Sequence, residues 1–149
     1  MRFALGVALL SIATFAAADQ SVYSTKFDNG WQNWSWAKTG LTGKSIAVKS
    51  GAWQAVYLHH DKQKGSSYSA ITFNIKGDTW AGKKVQVLAT IDGKVPKGYF
   101  YVITLSKGWE KVSVPTSKLG IANGTFDGFW IQAQDEERYS LSGIALKSK

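Results

Sequence analysis

The sequence predicts an all-β, antiparallel sandwich of about eight to ten strands with no substantial helix. Three observations carry this expectation. Apolar and polar residues alternate with period two through most of the chain, as in Val85-Gln86-Val87-Leu88-Ala89-Thr90-Ile91. One row of such a segment faces a core and the other faces away. Gly-rich breaks recur at Asp28-Asn29-Gly30, Gly43, Gly51, Lys64-Gly65-Ser66, Gly77-Asp78, Asp92-Gly93, Lys107-Gly108 and Asn123-Gly124. Clusters of that composition supply turns. Finally, no helical apolar period appears, and only residues 116–121 suit a single helical turn.

In chain order, strands are expected at 21–27, 45–49, 52–60, 68–75, 85–91, 99–105, 109–114, 128–134 and 139–147. Within 52–60, Val56 and Leu58 take the core side, so Trp53, Tyr57 and His59 share the open face. Within 68–75, Ser69, Ile71, Phe73 and Ile75 alternate with Ala70, Thr72 and Asn74. Within 128–134, Phe129, Ile131 and Ala133 enter the core, which turns Trp130, Gln132 and Gln134 outward. Pro96 lies in a turn and Pro115 follows a strand, where a missing N–H costs little. No repeat, linker or low-complexity segment interrupts the chain.

Residues 1–18 read as a secretory signal peptide: a basic Arg2, an apolar run, and small residues Ala16-Ala17-Ala18 before a cleavage point ahead of Asp19. The expected mature domain is 19–149, one domain in size. It holds no cysteine, so its core forms without disulfides. Asn33-Trp34-Ser35 and Asn123-Gly124-Thr125 are candidate N-glycosylation sites. The chain carries 18 Lys and Arg against 10 Asp and Glu, a formal charge of +8, and Arg2 leaves with the leader. The lysines are dispersed, which suits a soluble surface or attraction to an anionic polymer or membrane surface. No dense basic cluster marks a nucleic-acid groove.

Seven tryptophans set the functional reading. Trp31, Trp34 and Trp36 crowd a polar, turn-like stretch, where flat rings either cap a core edge or offer a platform for the apolar face of a sugar. One of the three is expected to plug the end of the sandwich and two to meet ligand. Trp130 with Gln132 and Gln134 joins a stacking ring to two amides on one open face, and amides bond hydroxyls. Trp53 and Tyr57 are further stacking candidates, His59 a further hydrogen-bonding one. Trp80 and Trp109 read as structural. A glycan on Asn33 would block the platform unless Asn33 faces away from it.

Three segments carry a resemblance to a known group: Phe27-Asp28-Asn29-Gly30-Trp31-Gln32-Asn33-Trp34-Ser35-Trp36, then Ala52 to His60, then Gly108 to Pro115 with Leu119-Gly120, Phe126 to Gln132 and Tyr139 to Leu146. The chain resembles carbohydrate-binding modules of the galactose-binding-like jelly-roll type, often appended to glycoside hydrolases. The resemblance implies a jelly roll and a non-catalytic, secreted protein that binds a polysaccharide or oligosaccharide, here a β-linked glucan or related cell-wall glycan. It also implies a structural calcium near the last strand. The matching place, Ser140-Leu141-Ser142-Gly143, has no carboxylate; Asp19 and Asp28 remain, so no cofactor is expected.

An enzyme is the rival class. Glycoside hydrolysis takes two carboxylates about 5–10 Å apart, and Asp135-Glu136-Glu137 reads instead as a solvated hairpin turn. No Ser–His–Asp set stands out, and His59 and His60, adjacent on a strand, face opposite ways and cannot chelate one ion. A secreted wall or host-interaction protein on the same fold is the alternative to carbohydrate binding. A monomer is expected, without nucleic acid and without membrane insertion.

Overall fold

The structure, a computed structural model, describes residues 18–78 and 82–149. The expected signal peptide, up to its last residue, and the turn holding Trp80 lie outside the described residues. Among the described residues, eleven strands form two antiparallel sheets. One sheet runs β3 (Lys38–Thr42), β4 (Ser45–Ser50), β11 (Glu137–Ser148), β6 (Tyr68–Gly77) and β9 (Glu110–Pro115), with β1 (Gln20–Tyr23) also pairing with β11. The other runs β2 (Gln32–Asn33), β5 (Ala55–Lys64), β10 (Thr125–Ala133), β7 (Lys84–Thr90) and β8 (Tyr101–Thr104). Only β3–β4 and β7–β8 are consecutive strands of one sheet. Every other consecutive pair crosses the sandwich, the winding of a jelly roll.

The alternation works as the sequence predicts. Val56, Leu58, Phe129, Ile131, Val85 and Val87 of one sheet share a core with Ile46, Val48, Ile71, Phe73, Leu141 and Leu146 of the other. Burying a ring such as Phe129 contributes roughly 1.5–3 kcal/mol. The Tyr139 hydroxyl, buried among these side chains, donates across the sandwich to the Ile131 carbonyl at 3.2 Å. A single 3₁₀ turn occupies Thr116–Leu119, where a helical turn is expected. A second spans Gly65–Ser67; there a Cβ on Gly65 would stand 1.8 Å from the Ile121 carbonyl oxygen, so only glycine lets the two loops touch.

Residues 34–37 run beside β5, between β2 and β3. Two expectations are corrected. Trp109 is not a structural residue packed inside, since it is 47% exposed ahead of β9. Asp135-Glu136-Glu137 is not uniformly solvated either. Asp135 and Glu136 are exposed, but Glu137 opens β11 opposite Ser50 and takes the inward parity of Tyr139 and Leu141, which buries it.

Candidate functional site

The outward face of the five-stranded sheet gathers most of the singled-out residues, and strand register explains how. Trp130 sits between Tyr57 and Leu88, Gln132 between Ala55 and Gln86, and Gly128 between His59 and Thr90. Beside β5, the Trp34 N–H donates to the Tyr57 carbonyl at 2.8 Å and the Trp36 N–H to the Ala55 carbonyl at 3.1 Å. The Tyr57 N–H answers to Ser35 Oγ at 3.0 Å. These bonds hold residues 34–36 like an extra edge strand, so both indoles rise on the same side.

Two small residues make room for the rings. Ala55 is fully covered, and over it Trp36 reaches Trp130, with ring centroids 5.0 Å apart and planes at 87°. At Gly128 a Cβ would stand 2.8 Å from Tyr57 Cε2 and 2.6 Å from the Leu58 carbonyl oxygen, so Tyr57 can lie flat only across glycine. Tyr57 then meets Trp130 edge-on at 6.0 Å and Trp36 at 6.4 Å. Trp34 stands at 87° to Tyr57 and stacks flat on His59, centroids 3.5 Å apart and planes 7° apart. Trp34 remains 51% and Trp36 44% exposed. Perpendicular contacts between rings are favourable for their quadrupoles, so the cluster is braced from within while its indoles stay open.

Polar groups frame this aromatic surface. Gln86 Nε2 donates to Gln132 Oε1 at 2.7 Å, and Gln132 Nε2 donates to the Trp53 carbonyl at 2.9 Å. The two amides are thereby oriented, with hydrogen-bonding capacity left over. At the other end Asp127 accepts from Thr90 Oγ1 at 2.6 Å and from the Gly93 N–H at 3.0 Å, and stands 3.9 Å from His59 Nε2. The buried Trp130 N–H has no oxygen or nitrogen acceptor; Trp36 and Tyr57 are its perpendicular ring neighbours.

The expected set is therefore split. Trp34, Trp36, Tyr57, Trp130 and Gln132 share one surface. His59 belongs to it as the support beneath Trp34. Trp31 is 3% exposed and is the plug: it packs on Phe129 and His60 and donates from Nε1 to Gln20 Oε1 at 2.7 Å. Trp53 stands at the head of β5, 56% exposed, with a left-handed φ of 64°. Gln134 lies past the end of β10, its N–H on the Lys84 carbonyl. Asn33 pairs opposite Leu58, a core-facing residue, and donates to Thr39 Oγ1 of the other sheet, so it points away from the rings. Asn123 is exposed in the loop before β10.

Gln86 and Leu88 were missed, although their parity opposite Val85 and Val87 marks them. Val102, opposite Gln86 on β8, extends the face further. As for calcium, hydrogen bonds from Ser148 hold the Asp19 carboxyl below its ordinary range, and those from Ser21 and Ser24 do the same for Asp28. Among the described residues no three His, Cys, Asp or Glu side chains cluster as a metal site.

No family sequence model matches this chain, and no curated protein matches it by sequence. Solved structures do match. A lysine-to-alanine variant of CBM29-2, a family 29 carbohydrate-binding module, superposes with a TM-score of 0.68 at 15% identity, covering 88% of this chain and 92% of that one. The fold is that of a family 29 carbohydrate-binding module. Another lysine variant of the same module, complexed with cellulohexaose, gives a TM-score of 0.65 at 15% identity over 87% of this chain and 89% of its own. An aspartate variant complexed with mannohexaose gives 0.65 at 15% identity over 87% and 90%. The likeness to these modules thus covers most of the chain.

Proposed function

We propose that this chain is a secreted, non-catalytic polysaccharide-binding protein that holds a β-linked glucan or mannan across the outward face of its five-stranded sheet. The observation that carries the reading is one uncovered surface on which Trp34, Tyr57, Trp36 and Trp130 brace one another while two indoles stay half open. Pyranose rings stack on such indoles through their apolar faces, and Gln132 and Gln86 offer amides to the hydroxyls. Complexes of similarly folded modules with cellulohexaose and mannohexaose support the choice of β-linked hexose polymers. Asp127, a carboxylate beside the rings, is engaged by Thr90 and Gly93, which favours binding over hydrolysis. The leader-like residues 1–18 support export.

Each aromatic stack contributes on the order of 1 kcal/mol beyond burial, and association costs several kcal/mol. A single chain should therefore bind in roughly the micromolar to millimolar range, with retention on a polymer raised by repeated sites. Titration calorimetry with cellohexaose and mannohexaose tests this. Trp36→Ala should weaken binding about tenfold, or ~1.4 kcal/mol, while the circular dichroism spectrum stays unchanged. A wild-type chain that binds no β-linked glycan, soluble or insoluble, overturns the proposal.

A further inference from the structure

The opposite face of the sandwich carries a different chemistry. On the six-stranded sheet Lys38 pairs with Lys49, and Lys49 pairs with Arg138, so three exposed cations stand side by side across β3, β4 and β11. Strand spacing puts neighbours about 4.8 Å apart, and like charges directly opposite one another repel. No carboxylate lies within ion-pair distance of any of the three among the described residues. Two acids are near: Asp78 lines the same hollow, and Glu136 lines the next one beyond Lys38 and Lys49.

One row along, Gly40 pairs with Ala47 and Ala47 with Ser140, and a Cβ on Gly40 would meet nothing within 4 Å. Small side chains thus floor a hollow of about 270 Å³ walled by the cation row. Lys76, opposite Ser140, adds a fourth cation to the face.

We propose that this hollow is a second binding site, for a linear anionic polysaccharide bearing carboxylate or sulfate groups. The cations recur at one strand spacing in a straight line, which suits one charge per sugar ring. Same-face side chains of an extended acidic peptide recur at about 6.8 Å and fall out of step. A membrane surface needs several apolar side chains to insert as well as charge, whereas the outward positions here are Gly40, Thr42, Ala47, Ser140 and Ser142, and Leu41 is the one exposed large apolar side chain of β3. The site is independent of the aromatic face, so the molecule can hold a neutral and an anionic polymer at once.

The test uses the full chain in affinity electrophoresis through polygalacturonate, dextran sulfate or a neutral β-glucan, at about 20 mM and 500 mM salt to vary screening. The wild type should be retarded by an anionic polymer at low salt and released at high salt. The double variant Lys49→Gln/Arg138→Gln should lose about tenfold in affinity, whereas Lys97→Gln/Lys118→Gln, with the same charge change elsewhere, should not. Both should keep β-glucan retardation, and Trp36→Ala should show the reverse pattern. Equal losses in the two double variants, no low-salt retardation by either anionic polymer, or capture by phosphatidylserine vesicles alone would each overturn the proposal.

Discussion

Trp53 is the residue whose backbone and side chain conflict. Its φ of 64° suits Gly or Asn, and a bulky side chain there is destabilised by roughly 1–2 kcal/mol. The turn tolerates it because the Trp53 N–H donates to the Ala133 carbonyl and its own carbonyl accepts from Gln132. Trp53→Asn should raise stability by ~1 kcal/mol in urea unfolding; a loss of stability would show that the ring is structural. Neither this strain nor the burial of Trp31 was legible in the sequence. Trp31 turns inward because Asn29 and Gly30 both take positive φ and because Gln20, eleven residues away, supplies its acceptor. Spacing distinguishes which residues share a face of a strand, but it does not say which ring of a turn is pulled inside.

At the level of the element, β10 organises the aromatic face. Its inward row was legible from Phe129, Ile131 and Ala133, and its outward row followed by parity. The edge strands were less so. In β3 four of five residues are exposed, so no apolar alternation announces it, and β2 is two residues long, recognisable only once β5 lies beside it. The bearing of β10 on the site depends on Gly128, which a sequence reading takes for a strand start. Gly128→Ala drives a methyl into the Leu58 carbonyl and the Tyr57 ring. It should lower stability by about 1–3 kcal/mol and weaken sugar binding together, by urea titration and calorimetry. If both are unchanged, Tyr57 does not rest on β10 as described.

Across the whole molecule, one buried group should set the pH response. Burial pushes the Glu137 carboxyl from 4.5 to about 7; Lys83 opposes that rise and Asp135 reinforces it. Below about pH 4.5 the group is neutral folded or unfolded. Between there and pH 7 the unfolded chain releases its proton while the native chain keeps it, so stability falls as pH rises. Above pH 7 the loss is complete, roughly 3 kcal/mol. The midpoint of thermal unfolding should therefore drop from pH 5 to pH 8, and Glu137→Gln should flatten that slope; parallel curves for the two proteins would exclude the assignment. The way residues 34–36 are tied down has a mechanical outcome. Both half-open indoles sit on the short span between β2 and β3, strands of different sheets, and the Trp34 and Trp36 amides anchor that span to β5. A load on those indoles would thus pass to the Tyr57 and Ala55 carbonyls of β5 and, along the chain, to both layers of the body together.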